Sequence, residues 1–169
     1  MRFLGNIEAK TDSKGRVFLP AIFRKEIENS NEEFLVMRKD IFQPCLVLYP
    51  QSIWNKQLDI LRSQLNRWNH RHQQIFRQFV ADAEVVIPDK NGRILIPKRY
   101  LTLANISQMV RFIGMDDTIE IWNGEKASQP FMDPETFSAS IEDLIKPVTT
   151  IANEDISYTA NLTTNKRSE

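Results

Sequence analysis

Two segments of this sequence place aspartate, glycine and arginine at the same spacing, and the arginines are the side chains best suited to chemistry. The nine residues DSKGRVFLP from position 12 align without gaps on DKNGRILIP from position 89, an offset of 77. Arg16 and Arg93 each open an apolar strand, where a long cation neither helps a turn nor fits a core. We therefore expect these loops to present a guanidinium to an anionic partner, with Lys14 beside it in the first copy.

The other shared residues of this motif predict a tight turn. An aspartate carboxylate can accept hydrogen bonds from backbone N–H groups two residues on, and glycine adopts the positive φ that other residues resist. We assign this loop-structuring role to Asp12 and Gly15, and to Asp89 and Gly92. Turn formation alone would explain these four residues, so they do not by themselves indicate binding.

The arginines also have a simpler interpretation, which is a buried ion pair with Asp12 or Asp89. A small hydrolase that uses these two aspartates is a weaker hypothesis, because each lies within four residues of a cation that would keep it ionised. No P-loop, GxGxxG, HExxH, GxSxG or cysteine–histidine motif is visible. We expect no enzyme, no cofactor, no metal site and no small-molecule substrate; His70 and His72 lack an evident third ligand.

The residues that follow each copy of the motif predict two similar strand–turn–strand–helix–strand–strand units. A proline, Pro20 or Pro97, ends a strand and begins a helix in each copy. The helical patterns consist of Ile22, Phe23 and Ile27, and of Tyr100, Leu101 and Leu103. The strand-like runs that follow are 34–37 and 46–49, then 110–113 and 119–122. Each unit is too small for a self-sufficient core, so we expect the two halves to pack together.

The segment between the repeats predicts a long amphipathic helix with a break. Its apolar stripe, with His72 in one odd position, comprises Trp54, Leu58, Leu61, Leu65, Trp68, Ile75 and Phe79. A continuous helix of about 28 residues would extend about 42 Å, so we expect a break near residues 66–70 and a helical hairpin. The opposite face carries Lys56, Arg62, Arg67, Arg71 and Arg77, and is either solvated or an auxiliary phosphate-facing surface.

Composition restricts the remaining possibilities. The 22 basic residues balance 22 acidic residues, so any nucleic-acid binding must come from locally gathered charge. The single cysteine, Cys45, cannot form an intramolecular disulfide, and no apolar run approaches the length of a membrane span. We expect a cytoplasmic protein. Pro134 begins a short amphipathic helix, and the polar sequence after about Ile145 predicts a flexible tail.

The tandem motif and its flanking sequences resemble the MraZ family of bacterial transcriptional regulators. The resemblance rests on MRFLGNIEAKTDSKGRVFLPAIFR, CLVLYPQSIW, VVIPDKNGRILIPKRYL and IEIW, which are spread over residues 1–124. It implies an α+β fold of two SpoVT–AbrB-type halves, in swapped-hairpin or double-psi-like barrels, with helices between them. The implied domains are a first repeat over 1–50, a helical segment over 51–84, a second repeat over 85–124 and a C-terminal part over 125–169.

The same resemblance implies a function. Members of this family would be cytoplasmic, nucleoid-associated repressors of the division and cell-wall gene cluster that contains their own gene. They would bind short direct repeats in promoter DNA as ring-like homo-oligomers. Residue by residue, the resemblance assigns DNA contacts to Lys14, Arg16, Lys90 and Arg93, although Lys90 is shifted by one position because Asn91 aligns with Lys14. The alternative is an antitoxin-like protein-interaction scaffold whose tail wraps a partner.

Overall fold

The computed structural model describes residues 1–126 and 130–145, and its helices and strands follow the repeat. The elements are β1 (Asn6–Lys10), β2 (Arg16–Phe18), α1 (Ala21–Asn29), β3 (Leu35–Lys39), β4 (Leu46–Pro50), α2 (Gln51–Gln64), α3 (His70–Ala81), β5 (Ala83–Val86), β6 (Arg93–Leu95), α4 (Lys98–Leu103), β7 (Met109–Met115), β8 (Thr118–Asn123) and α5 (Pro134–Ile145). The predicted strand–turn–strand–helix–strand–strand order is confirmed in both halves. The chain divides into two units, Met1–Pro130 and Phe131–Glu169.

Six strands of the first unit form one antiparallel sheet in the order β1-β7-β8-β4-β3-β5. The first strand of each repeat leaves its own repeat and pairs with the other: β1 pairs with β7, and β5 pairs with β3. β4 and β8 join the two halves at the centre. The expectation of an α+β fold with halves that pack together is confirmed.

The second strands of the two repeats form a separate antiparallel ribbon, β2–β6. Arg16 lies opposite Leu95, and Phe18 lies opposite Arg93. Because successive side chains of a strand point to opposite faces, Val17 and Ile94 are buried in the core while the four paired residues face outward. The ribbon therefore places both motif arginines on one outer face.

The helices that follow the two loops begin directly after Pro20 and Pro97, as expected. Phe23 of α1 and Tyr100 of α4 occupy equivalent positions, and both are fully buried. The hydroxyl of Tyr100 accepts a hydrogen bond from Nη2 of Arg99 at 2.8 Å. The same hydroxyl can donate to the carbonyl oxygen of Asp82, at 2.9 Å, or to that of Met37, at 3.2 Å. Burial raises the pKa of Tyr100 to about 12, so it remains a neutral hydrogen-bonding group.

The predicted break in the helical segment is confirmed, because α2 ends at Gln64 and α3 begins at His70. The side chain of Asn69 caps α3 by accepting a hydrogen bond from the backbone N–H of His72. The side chain of His72 in turn accepts a hydrogen bond at Nδ1 from the backbone N–H of Asn66. Trp54 of α2 stacks on Phe79 of α3 at 5.5 Å between ring centres, and it joins the hairpin to β4 through Tyr49, whose ring centre lies 5.4 Å away.

The apolar stripe predicted for this segment is wrong at Trp68, which is 95% exposed, and at Ile75, which is 45% exposed. The helical period that places residues on one face applies only inside a helix, and Trp68 lies in the turn between α2 and α3. His72 serves this turn rather than a core position. Among the residues that the structure describes, no three histidine, cysteine, aspartate or glutamate side chains are grouped as a metal site.

The C-terminal helix α5 begins at Pro134, as predicted. The side chain of Asp133 accepts hydrogen bonds from the backbone and the hydroxyl of Thr136, which satisfies donors of the first turn. The predicted flexible tail lies outside the described residues from position 146 onward. Within the described ranges, every helix is too short or too polar to pass through a lipid bilayer.

Candidate nucleic-acid interface

The first loop is built by the carboxylate of Asp12. Its Oδ1 accepts hydrogen bonds from the backbone N–H groups of Lys14 and Arg16, each at 2.9 Å. Its Oδ2 accepts from Nε of Arg16 at 2.7 Å and lies 2.7 Å from Nη2 of the same guanidinium. Gly15 completes the turn with a φ of 83°, which favours glycine. One carboxylate therefore shapes the turn and orients the arginine.

The second loop repeats this arrangement. Asp89 Oδ1 accepts from the backbone of Asn91 at 2.9 Å and of Arg93 at 3.0 Å, and Oδ2 accepts from Nε of Arg93 at 2.8 Å. Gly92 has a φ of 77°. The two loops are also joined across the ribbon, because the backbone N–H of Ile96 donates to the Gly15 carbonyl and that of Leu19 donates to the Gly92 carbonyl.

These bonds keep both aspartates ionised. The hydrogen bond from the Arg16 backbone is the largest influence that lowers the pKa of Asp12. The backbone and then the side chain of Arg93 lower the pKa of Asp89 in the same way. A carboxylate held ionised by an adjacent arginine suits an ion pair and not proton transfer. The structure thus supports the loop-structuring interpretation of the aspartates over the hydrolase hypothesis.

The alternative of a buried ion pair between each arginine and its aspartate is confirmed for the ion pair but is wrong for its burial. The side chain of Arg16 is 36% exposed and that of Arg93 is 26% exposed. A guanidinium has five N–H donors, of which aspartate uses two here. Among the described residues, Nη1 of Arg16 and Nη1 of Arg93 form no hydrogen bond, so an outward edge of each guanidinium is available to an acceptor.

Sequence reasoning missed the two apolar residues between these arginines. Phe18 is 58% exposed and Leu95 is 52% exposed, and both share the outer face of the ribbon with Arg16 and Arg93. The Arg93 guanidinium carbon lies 5.9 Å from the Phe18 ring centre. If Val17 is buried, the alternation of side chains along a strand places Phe18 on the outer face. The apolar character of Phe18, however, favoured a position in the core. We call Arg16, Phe18, Arg93 and Leu95 the ribbon face.

A family model described as "MraZ protein, putative antitoxin-like" matches residues 2–78 and 79–131, which is most of the chain and both copies of the loop. The chain belongs to the MraZ family. The boundary between the matched segments falls inside α3, so the model assigns one loop and one ribbon strand to each segment.

The alignments with MraZ relatives cover most of this chain and most of each relative. The transcriptional regulator MraZ of Bacteroides thetaiotaomicron is 62% identical over 145 residues, which are 86% of this chain and 93% of that protein. The protein of the same name from Bacteroides fragilis is 55% identical over 156 residues, or 92% and 99% of the two chains. That of Clostridium acetobutylicum is 32% identical over 124 residues, or 73% and 83%. Their shared name supports a regulator of transcription.

The lysines expected to contact DNA in this MraZ chain are both exposed at the loops. Lys14 lies in the first turn, directly before Gly15, and Lys90 lies one position earlier in the second turn, beside Asp89. The two loops therefore carry the same arginine in the same geometry but display their lysines at different positions. Their contact with DNA stays a prediction.

A second basic surface of this MraZ chain lies between α2 and α3. Arg62, Arg67 and Arg77 line a groove whose apolar part includes Leu65 and Phe76. The guanidinium of Arg62 lies 3.5 Å from the centre of the Phe76 ring. An arginine stacked on an aromatic ring is stabilised without any ligand. The groove therefore leaves the two interpretations of this helix face, solvated or facing phosphate, open.

Proposed function

We propose that this protein is a sequence-specific DNA-binding repressor of the division and cell-wall gene cluster. It would bind short direct repeats in promoter DNA as a ring-like homo-oligomer, in the cytoplasm and on the nucleoid. The observation that carries the proposal is the ribbon face, on which two partly exposed guanidiniums are held in a fixed orientation by Asp12 and Asp89.

The ribbon face has the shape and chemistry for the major groove of DNA. That groove is wide enough to admit a two-stranded β-ribbon, and guanine presents two acceptors there to a bidentate arginine. With Nε bound to aspartate, the outward edge of Arg16 or Arg93 still offers N–H donors to those acceptors. Phe18 and Leu95 add apolar surface that suits the methyl group of thymine. Lys14 and Lys90 would neutralise phosphates.

Self-association follows from the strength of such contacts. A bidentate arginine–guanine pair discriminates between bases by only about 1–3 kcal/mol. Several subunits that present equal loops to evenly spaced repeats combine weak contacts through their high effective concentration. The overall balance of 22 basic and 22 acidic residues limits nonspecific binding by the assembled particle.

The finer description of the fold belongs to the same proposal. The exchange of β1 and β5 between the repeats supports swapped-hairpin halves of the SpoVT–AbrB type. We propose the domains 1–50, 51–84 and 85–124 for the first repeat, the helical segment and the second repeat, with 125–169 as a C-terminal addition.

A footprint on DNA directly upstream of the protein's own gene, combined with the native mass of the free particle, tests the proposal. We expect protection of several evenly spaced short repeats and a mass of several subunits. A scrambled fragment of the same length and base composition is the control. Equal affinity for the promoter and the scrambled fragment at 150 mM salt would contradict sequence-specific repression.

An antitoxin-like interaction scaffold is the second candidate, and the description of the matching family model favours it. Helix α5 adds an observation, because Phe137, Leu144 and Ile145 are all more than half exposed. Such a scaffold needs its C-terminal part to hold a partner, whereas the repressor does not. Truncation after Lys126 separates the two: retained promoter binding with retained repression supports the repressor, whereas loss of repression and of partner capture with intact DNA binding supports the scaffold.

A further inference from the structure

Arg24 of α1 packs against the second loop, although it belongs to the first repeat. A Cβ atom built on Gly92 would clash with Nη1 of Arg24, lie 2.8 Å from its Cδ and 3.0 Å from its Cζ. The guanidinium and the loop glycine are therefore in direct contact. Arg24 also lines the same surface cavity as Lys90 and Asn91.

The equivalent contact in the first loop is apolar. A Cβ on Gly15 would lie 3.4 Å from Cδ1 of Leu101, and residue 101 is separated from residue 24 by the same offset of 77 that relates the two motifs. The second loop lacks a lysine where Lys14 stands in the first, because Asn91 takes that position. Arg24 thus supplies a cation from another element to a loop whose own lysine, Lys90, stands one position earlier than Lys14 does in the first loop.

Arg24 is held only weakly by its neighbours. Its one ion pair among the described residues is with Glu28, at 4.0 Å, and its side chain is 36% exposed. Glu32 and Glu33 line the same cavity. Without Arg24, Lys90 would be the one cation among the described residues of this cavity to offset the repulsion of a phosphate by three glutamates.

We propose that Arg24 is a phosphate-binding residue of the second loop. Its guanidinium leaves Glu28 and binds a backbone phosphate of the DNA whose bases face Arg93, as Lys14 does at the first loop. This inference rests on the proposed DNA-binding function. It extends the interface from the ribbon face to α1 and makes the second loop a composite of both repeats.

The salt dependence of promoter binding tests this role, because its slope counts the phosphates that the protein neutralises. Arg24→Leu gives the second loop the leucine that Leu101 provides at the first loop. We expect it to reduce the magnitude of the slope of log K against log[salt] by about 0.9 for each engaged subunit. Affinity for promoter and scrambled DNA should fall by the same factor, since a phosphate contact carries no sequence information. Arg24→Lys should keep the slope, and Glu28→Gln should raise affinity by freeing the guanidinium.

Lys25→Leu is the matched control, because it removes one exposed cation from the same helix outside this cavity. An unchanged slope for Arg24→Leu, or an equal decrease for Lys25→Leu, would overturn the proposal. Should Arg24→Leu lower the melting temperature, Arg24→Lys and Glu28→Gln decide the question, since the first keeps the aliphatic stem against Gly92 and the second leaves Arg24 unchanged. Failure of the unsubstituted protein to prefer its promoter would refute the proposed function itself, and this inference with it.

Discussion

The two loops of this protein have nearly identical internal hydrogen bonds but are packed against different residues. In both, one aspartate binds two backbone N–H groups and the following arginine, with distances that agree within 0.1 Å. Their glycines, however, contact Leu101 in one case and Arg24 in the other. Local sequence fixes the shape of such a loop, while the charge around it depends on which distant residue packs against it.

The largest expected effect comes from the arginines, whose equivalence can be tested directly. Arg16→Ala and Arg93→Ala should each reduce promoter affinity by about 10- to 100-fold per loop, because each removes an oriented guanidinium worth about 1–3 kcal/mol. Fluorescence anisotropy with a labelled promoter fragment measures the loss. Melting temperature and native mass should stay unchanged, and Lys25→Ala serves as a control for charge. A loss confined to Arg16 would show that the second loop does not read DNA.

The glycines should differ in their effect on stability. Alanine at either position is strained at positive φ, by about 1–3 kcal/mol. At Gly15 the new Cβ would also lie 2.6 Å from the Ile96 carbonyl oxygen, a backbone atom that cannot move aside. At Gly92 it would meet the side chain of Arg24, which is flexible. Urea unfolding should therefore show a larger loss of stability for Gly15→Ala than for Gly92→Ala.

Equal losses in the two glycine variants would contradict this difference in packing. A further consequence concerns DNA: Gly92→Ala displaces Arg24, so it should lower the salt slope of binding in the same direction as Arg24→Leu. The folded Gly15→Ala variant should keep the contribution of Arg24 to the salt slope.

The smallest effect concerns pH, where the loops should behave alike. The pKa values of Asp12 and Asp89 lie below the ordinary value of 3.8, so each ionised carboxylate stabilises its loop above that pH. This contribution is lost as the pH falls through the lowered folded-state value. The amide NMR signals of Gly15 and Gly92 should therefore stay constant from pH 7 to about 5 and titrate with midpoints under 3.8. A midpoint above that value in either loop would mean that its arginine does not hold the aspartate.

Much of the fold and of the candidate site could be predicted because the signals are local. The Asp–Gly–Arg spacing places the carboxylate within reach of the arginine four residues later, and the prolines mark both helix starts. The apolar stripe failed at Trp68, since a periodic pattern does not show that the helix has already ended. Phe18 was missed because its apolar side chain alone does not show which face of the strand it occupies.

By itself, the sequence determined the duplication, the order of strands and helices, the turn chemistry of each loop and the family. All of these depend on residues that are close in the chain or aligned at one offset. The tertiary structure decided that β1 and β5 exchange repeats, that both arginines share one face with Phe18 and Leu95, and that Arg24 reaches Gly92. These features join residues far apart in sequence, and their pairing is set by packing of the whole sheet, which no local pattern encodes.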